Sequence, residues 1–423
     1  MPSDWTGCGR CGYPANGRRS RGGSGWIIIL ILIFGVFIFR DKLISFVPQS
    51  IKDQLAGIFS GDRVNQDAPD PIYQDPTGVK PDTNGSTGDE TANGGPSETP
   101  TDLQGGSVSG YSANEEKIRG LIHDALISAD DSVKLPVLNT GDDSEVIFGI
   151  IGQVVLDDPE IMFYEGCTYR TDGLLTLNYE KSREFILKAV QDADQKAGDI
   201  ISRIIKPGMS DFEKELAIHD YIVSSCRYDV ENFKKDTVPP EGHEAYGPLI
   251  TGKAVCEGYA KAMKFLLDRA GIECFVVTGT SKGALHAWNI VNISGRYYHV
   301  DATWDDPVME NGDQILQHTY FNLTDSNISV DHNWKTADYP SCESTSSNYF
   351  YYNKLVVSSS DDFTALLGST VESGADSLSV RFIDGSANSI DIPKLLEKAA
   401  LQLNLKSISY SVNDDYGVVD IWF

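Results

Sequence analysis

The chain has 423 residues, enough for two or three domains of ordinary size, because a single hydrophobic core usually serves roughly 100–200 residues. Its 35 basic and 61 acidic residues give a formal net charge of −26, which repels phosphate backbones and excludes nucleic acid as an expected partner. The seven cysteines are an odd number spread thinly along the chain, so we expect no disulfide framework and at least one free thiol.

The first predicted element is a membrane-spanning helix. No residue between Arg21 and Arg40 is charged, and the sequence from Trp26 to Phe39 is almost wholly aliphatic or aromatic. A cleaved signal peptide has a similar apolar core, but charged residues follow this one directly and no small-residue cleavage pattern appears. We therefore predict an uncleaved signal anchor at residues 22–39, a single transmembrane helix in the cell membrane. Basic residues before it slightly outnumber those after it, which places a tail of residues 1–21 in the cytoplasm and the rest outside the cell.

The segments around this helix are predicted not to form domains. Residues 40–60 are a juxtamembrane segment, and residues 61–110 are a disordered linker, since their Gly, Asp, Pro, Thr, Ser and Asn cannot bury enough apolar surface to fold. Cys8 and Cys11 in the tail resemble one knuckle of a zinc ribbon, but a structural zinc needs four ligands and no second pair follows nearby. We interpret them as two free thiols.

The first predicted domain, residues 111–208, is a small α/β domain. Apolar residues at helical spacing predict helices in Asn114–Ser128, Ser144–Leu156 and Ser182–Ile205, and β-forming residues around a Thr-Asp-Gly turn predict strands at Ile161–Tyr164 and Leu174–Tyr179. A capping box, Ser210 three residues before Glu213, begins the first helix of the next predicted domain, residues 209–345.

Cys256 lies at the start of the most apolar helix of this second domain. Unpaired backbone N–H groups and the positive end of the helix dipole stabilise a thiolate at such a position. A single cysteine is more often a small buried apolar residue, so its position alone does not make it a nucleophile.

A β-hairpin after this helix supplies two more polar residues. Ser294-Gly295 is a two-residue turn, and if Ile293 pairs with Arg296, then His286 and Asp301 lie on one face of the hairpin as diagonal neighbours. A shift of one residue would place them on opposite faces. A cysteine at a helix start followed by a facing His-Asp pair is the arrangement that nucleophilic catalysis requires.

Three motifs in this region resemble those of the transglutaminase-like superfamily, in the form found in bacterial membrane-anchored surface proteins. They are Val255-Cys256-Glu257-Gly258-Tyr259, His286-Ala287-Trp288-Asn289, and Tyr298-His299-Val300-Asp301-Ala302-Thr303-Trp304-Asp305, and the resemblance covers about residues 210–332. The fold it implies is α+β, with a papain-like core in which the cysteine helix packs on an antiparallel sheet. By the same resemblance Cys256 is the catalytic nucleophile, His286 the general base and acid, and Asp301 the residue that orients the imidazole.

Other polar residues of the region receive structural interpretations. We interpret His299 and His332 as buried histidines with satisfied hydrogen bonds, and Asp305, Asp306 and Asp313 as a solvated acidic loop, because the loop pattern of a calcium site is missing. No metal or cofactor is predicted. The last predicted domain, residues 346–423, alternates strands and helices and is a second small α/β domain without a recognisable catalytic set.

Two classes of function fit these features. The first is a surface-exposed thiol-dependent enzyme that forms a thioester between Cys256 and a protein or peptide substrate, such as one attached to the cell surface or cell wall. It would act as a transglutaminase if an amine accepts the acyl group, or as a cysteine peptidase if water does. The second is a non-catalytic binding or scaffold module that keeps the same fold, since a fold does not entail a function.

Overall fold

The computed structural model describes residues 7–8, 13–14, 112–138, 143–307, 315–383, 391–403, 405 and 407–423. The predicted signal anchor at 22–39, the juxtamembrane segment and the linker at 61–110 lie outside these residues, as do Cys11 and Asp313. Among the helices that the structure describes, none combines the length and the apolar character needed to cross a bilayer. Near the N-terminus two short strands, β1 (Gly7–Cys8) and β2 (Tyr13–Pro14), pair in antiparallel orientation.

Between residues 112 and 204 the described part of the chain forms three helices and a small antiparallel sheet with the strand order β3-β5-β4. Ser112 caps the first helix and Ser182 the third, each by accepting a backbone N–H with its hydroxyl. The elements are α1 (Ala113–Ile127), β3 (Ser132–Lys134), α2 (Asp143–Asp157), β4 (Tyr164–Tyr169), β5 (Leu174–Tyr179) and α3 (Arg183–Ile204). The predicted strand Ile161–Tyr164 is wrong except at its last residue, because the strand begins at Tyr164 and its three predecessors are buried without pairing.

The middle of the chain packs one buried helix against an antiparallel sheet with the strand order β10-β9-β8-β11. Its elements are α4 (Asp211–Ser225), β6 (Arg227–Tyr228), α5 (Val230–Lys235), a 3₁₀-helix (Pro240–His243), a π-helix (Gly247–Thr251), β7 (Lys253–Ala254), α6 (Cys256–Arg269), β8 (Cys274–Ser281), β9 (Ala284–Ile293), β10 (Arg296–Val300), α7 (Asp325–Ile328) and β11 (His332–Trp334). Helix α6 shares one core with α3, α4 and the inner face of the sheet. The mixed α/β architecture that the sequence predicts is therefore present.

The β9–β10 hairpin has the register that the two-residue turn predicts. Ile293 pairs with Arg296, and the pairing continues to Asn289 and Val300. Ser294 and Gly295 both have positive φ, 54° and 81°, as a type I′ turn requires. This register fixes which face of the hairpin carries His286.

Strand β11 completes the sheet by pairing with β8, where Gly279 lies opposite Trp334. A Cβ atom at Gly279 would lie 2.3 Å from the backbone oxygen of Asn333 and 2.9 Å from the ring of Trp288. Only glycine therefore allows β11 to approach this closely.

The C-terminal region forms a third sheet with the strand order β12-β13-β15-β14, covered by two helices. A 3₁₀-helix (Thr336–Asp338) and α8 (Tyr349–Tyr352) lead into β12 (Val356–Val357), α9 (Ser360–Glu372), β13 (Ser377–Phe382), α10 (Ile392–Leu403), β14 (Ser409–Asn413) and β15 (Val418–Trp422). The division of the chain into domains at residues 208 and 345 stays a prediction.

Candidate active site

Cys256 is the first residue of helix α6 and its thiol is half-buried. The preceding residue, Val255, is the N-cap and offers no side-chain acceptor to the first turn. The N–H groups of that turn have no partner within the helix, and they carry the positive end of its dipole toward the sulfur. The helix therefore favours a negative charge at Cys256.

Buried ion pairs hold this end of the helix. Lys261 lies between Glu257 and Glu244, at 2.9 Å from an oxygen of each. The other oxygen of Glu244 accepts the backbone N–H of Phe163 at 3.0 Å. At Gly258 a Cβ atom would lie 2.5 Å from the backbone oxygen of Gly242, so this position needs glycine for the chain to pass. These contacts fix Cys256 relative to the rest of the protein.

His286 and Asp301 lie together on the hairpin face. His286 belongs to β9 and is 8% exposed, and Asp301 directly follows β10 and is 1% exposed. The distance from Nε2 of His286 to Oδ2 of Asp301 is 2.6 Å, which is a short, charge-assisted hydrogen bond. The geometry expected from the hairpin register is thus the geometry of the structure.

The thiol of Cys256 lies close enough to the His286 ring to interact with its charge. Nε2 is bound to Asp301, so Nδ1 is the ring nitrogen left for the thiol. Burial alone would lower the pKa of His286, but the charge and hydrogen bond of Asp301 and the facing thiol raise the pKa above its ordinary value. The imidazolium form, which stabilises a thiolate, is therefore favoured.

Asp301 is the most highly coordinated group of the site. Its Oδ1 accepts the backbone N–H groups of Thr303 and Trp304 at 2.9 and 3.1 Å. Its Oδ2 accepts from His286 and also from Nε2 of His332 at 3.1 Å. Burial would raise the pKa of Asp301, but the two histidines hold it well below its usual range. Asp301 is therefore a buried carboxylate at neutral pH.

His332 is the residue of the site that sequence reasoning missed. It lies on β11, and its Nδ1 is 2.6 Å from Oδ1 of Asp331. The expectation that its hydrogen bonds are satisfied is confirmed, but one of its partners is the Asp301 carboxylate itself. No spacing in the sequence indicates this contact, because it depends on the pairing of β11 with β8.

His299 has the structural role expected of it. Its Nδ1 accepts the indole N–H of Trp288 at 2.9 Å, and its Nε2 lies 2.8 Å from Asp325. Burial outweighs that carboxylate and lowers the pKa of His299 below its ordinary value, so the ring is neutral and acts as a fixed link. Trp288 is thereby oriented, with its ring stacked 5.9 Å from that of His286.

Trp304 forms one wall of the site, with its ring 6.1 Å from His286 in an edge-to-face arrangement. The ammonium group of Lys282 lies 4.5 Å from the centre of the Trp304 ring on the side of solvent. A hydrophobic wall with one cation beside it therefore borders His286.

The acidic residues after Asp301 are not a solvated loop. Asp305 and Asp306 are buried, where Asp305 lies 3.2 Å from Nε2 of His219 and Asp306 accepts the hydroxyl of Tyr259 at 2.6 Å. The solvated interpretation is wrong for these two residues because their side chains turn inward to join α4 and α6.

Three clusters in the described part of the chain bring ligand-type atoms within 4.8 Å of one another. They are His219, Asp220 and His318; His286, Asp301 and His332; and His299, Asp325 and Cys342. In each cluster the carboxylate is joined by hydrogen bonds to its histidines, and the thiol of Cys342 donates instead to the backbone oxygen of Pro340. The 2.6 Å between His286 and Asp301 is also shorter than the roughly 3.4 Å that separates two ligands of a tetrahedral zinc. We interpret all three as hydrogen-bonded His-Asp groups.

Together these contacts form a line of groups, from a half-buried thiol at a helix start through an imidazole to a buried carboxylate. Such a line can generate a thiolate, deliver a proton to a leaving group and keep the imidazole in one orientation.

Comparison with known proteins finds a family match for the region that carries these residues. Residues 199–302 match the family model of the transglutaminase-like superfamily. Kyphoscoliosis peptidase of Mus musculus is 27% identical over 44% of this chain and 33% of that protein. Its counterpart of Homo sapiens is 28% identical over 26% of this chain and 18% of that protein, so the chain spans a third or less of these relatives. A crystal structure described as a TGase has 15% identity and a TM-score of 0.25 and covers 33% of this chain and 44% of that chain.

Proposed function

Residues 199–302 are a transglutaminase-like domain, and from this premise we propose that the protein is a thiol-dependent acyl-transfer enzyme whose nucleophile is Cys256. His286 is the general acid and base, and Asp301 orients it. The observation that carries the proposal is the position of His286, which is hydrogen-bonded to Asp301 and lies within electrostatic reach of the Cys256 thiol.

In the first half-reaction the Cys256 thiolate attacks the carbonyl carbon of a protein or peptide amide. The new C–S bond gives a tetrahedral intermediate, and the backbone N–H groups of the first turn of α6 are the proposed donors to its negative oxygen. His286 donates its proton to the nitrogen of the leaving amine, the C–N bond breaks, and a thioester remains on Cys256.

In the second half-reaction neutral His286 takes a proton from the incoming nucleophile, which attacks the thioester and releases the thiolate. An amine as nucleophile gives a new amide, the transglutaminase outcome, and water gives an acid, the peptidase outcome. The name of the two curated relatives supports the peptidase outcome. Asp301 keeps its negative charge throughout and stabilises the imidazolium in both halves.

Alkylation with iodoacetamide at different pH values tests whether Cys256 is a thiolate nucleophile. The matched control is Cys167, which is also half-buried but whose thiol pKa is raised by burial. At pH 6 we expect Cys256 to react about 10²-fold faster than Cys167, measured for each residue by mass spectrometry. Equal rates at the two thiols would refute the enzyme proposal and favour a non-catalytic binding module on the same fold.

Identification of the substrate requires trapping of the acyl-enzyme. Incubation of the full-length protein with a cell-surface protein extract at pH 6, where the thioester hydrolyses slowly, should add a fragment to Cys256 that hydroxylamine removes. The mass of that fragment identifies the acyl donor. If alkylation of the protein beforehand prevents attachment of the fragment, the fragment is bound through the thiol.

We also propose that the apolar segment at residues 22–39 anchors the protein in the cell membrane, with the acyl-transfer region outside. The support is the uncharged sequence and the small excess of basic residues before it. Protease treatment of intact cells tests the orientation, because it should cleave within residues 61–110. Cleavage that occurs only after lysis would show the opposite orientation.

A further inference from the structure

Behind the candidate triad lies a second line of hydrogen bonds that the mechanism above does not use. It begins at Asp301, whose Oδ2 accepts from His286 and from His332. Since Asp301 is ionised, Nε2 of His332 is the donor in its contact. Two imidazoles therefore donate to one carboxylate oxygen from different strands of the sheet.

The His332 ring is held at both of its nitrogen atoms. Nε2 faces Asp301 at 3.1 Å and Nδ1 faces Asp331 at 2.6 Å. The ring is 3% exposed and packs edge-to-face against Trp288 at 4.9 Å. Rotation of His332 would break both hydrogen bonds, so its position restrains Oδ2 of the Asp301 carboxylate.

Asp331 is in turn held by two phenols. Its Oδ2 accepts the hydroxyl of Tyr320 at 2.8 Å, and its Oδ1 accepts that of Tyr416 at 2.7 Å. Tyr416 lies in the turn between β14 and β15 and is 4% exposed. The line of hydrogen bonds thus runs from the candidate active site into the C-terminal sheet.

We infer that His332 and Asp331 are positioning residues for Asp301, and that Tyr416 connects the C-terminal sheet to the triad through them. The inference rests on the proposed function, because it assigns these residues a role in supporting His286. The backbone N–H groups of Thr303 and Trp304 already hold Oδ1 of Asp301, so the contribution of His332 is made at Oδ2, the oxygen that binds His286. Donors on both oxygens and a second imidazole on Oδ2 fix the orientation that His286 needs, and small displacements at such positions lower rates strongly.

Site-resolved alkylation of Cys256 by iodoacetamide at pH 6, in the full-length protein, measures this support without a natural substrate. The thiolate at this pH depends on the imidazolium of His286, which Asp301 stabilises. His332→Phe removes the donor, and we expect the rate to fall about tenfold, because Asp301 then holds the His286 imidazolium less firmly. His332→Gln places an amide N–H near the position of Nε2 and should recover the rate to within about threefold of wild type. The melting temperature of each variant is measured in parallel.

The connection to the C-terminal sheet is tested by Tyr416→Phe, which removes one hydroxyl and keeps the ring. We expect a rate about two- to fivefold below wild type, because Asp331 loses one of its donors. The matched control is His318→Gln, which alters another buried His-Asp pair, and it should react at the wild-type rate.

The outcomes separate the two proposals. If wild-type Cys256 does not react faster than Cys167 at pH 6, the proposed function fails and the inference fails with it. If Cys256 reacts fast but His332→Phe and His332→Gln show equal rates, the positioning role is refuted. Should His332→Phe not fold, Asp331→Asn replaces it, and a wild-type rate in that variant refutes the role. A wild-type rate in Tyr416→Phe refutes the connection to the C-terminal sheet.

Discussion

Two clusters in the middle region place a carboxylate between two histidines. In the Asp301 cluster Asp301 accepts from His286 and His332, and in the Asp220 cluster Asp220 accepts from His219 at 3.1 Å and from His318 at 2.8 Å. Both carboxylates have a pKa well below the usual range; burial opposes this in each, and the histidine hydrogen bonds and charges outweigh it.

The clusters differ in the second polar neighbour of one histidine, which is His286 in the Asp301 cluster and His219 in the Asp220 cluster. His286 has the thiol of Cys256 as its other polar neighbour, whereas the second nitrogen of His219 faces the buried carboxylate of Asp305. His318 is covered by the ring of Tyr349, stacked at 3.8 Å. A carboxylate between imidazoles is therefore a way to satisfy buried polar groups, and a half-buried thiol at a helix start makes one of the two a candidate active site.

Among the substitutions that test this comparison, removal of the Cys256 thiol should have the largest effect on the rate of acyl transfer. We expect Cys256→Ala to abolish acyl transfer from an activated ester, because no other group of the Asp301 cluster forms a thioester. Release of the leaving group, followed by absorbance, is the measurement. Cys167→Ala removes the other half-buried thiol described and should retain the wild-type rate. Turnover in Cys256→Ala would assign the nucleophile elsewhere.

Loss of His286 should lower the acylation rate nearly as strongly. His286→Ala removes both the partner of the thiolate and the proton donor, so acylation by the same ester should fall by about 10³-fold or more. The double variant His286→Ala/Asp301→Asn should be no slower than His286→Ala, because Asp301 acts through that imidazole. Multiplied losses in the double variant would contradict the triad.

The two carboxylates give the most direct comparison. Asp301→Asn should keep the fold and lower kcat/KM for the activated ester by about 10²–10⁴-fold, by analogy with the orienting carboxylate of other triads. Asp220→Asn makes the same chemical change in the Asp220 cluster, and the rate per folded molecule should not change. Similar losses in both variants would mean that Asp301 supports only the fold.

The smallest effect concerns stability and belongs to the Asp220 cluster. Burial lowers the pKa of His219, but Asp220 and Asp305 outweigh it and raise the pKa to about 9. A raised pKa means that the protonated ring stabilises the folded state fully below about pH 6.5, and that this contribution is lost as pH rises toward 9. Urea unfolding at pH 6.5 and 9.5 should therefore show a smaller loss of stability in His219→Gln than in wild type. The raised pKa of His286 contributes equally to the pH dependence of stability in wild type and in His219→Gln, so its contribution cancels in the comparison. An equal loss in both would show that His219 is neutral in the folded protein.

Much of the candidate site could be predicted because its determinants are local. The register of the hairpin follows from Ser294-Gly295, whose positive φ values permit a two-residue turn, and this register brings His286 to Asp301. The capping box at Ser210 and Glu213 likewise marks the start of α4. The C-terminal helix Ile392–Leu403 follows from its apolar spacing. Each depends on residues within a few positions of one another.

The rest depends on contacts between distant segments. His332 reaches Asp301 only because β11 pairs with β8, about fifty residues earlier in the chain, and no periodicity indicates that pairing. The side chains of Asp305 and Asp306 turn inward because His219 and Tyr259 on two other helices offer partners. Tertiary packing decides these positions, so the acidic sequence by itself indicates a solvated loop.

Gly279 makes this arrangement sensitive to a single methyl group. It lies opposite His286 on one side of β8 and opposite Trp334 on the other, where a Cβ atom would collide with the backbone of Asn333. An alanine there would push β11 away from β8, move His332 away from Asp301 and press on the Trp288 ring that stacks against His286. The position thus offers protein engineers a way to perturb the candidate site without substituting any of its proposed reacting groups.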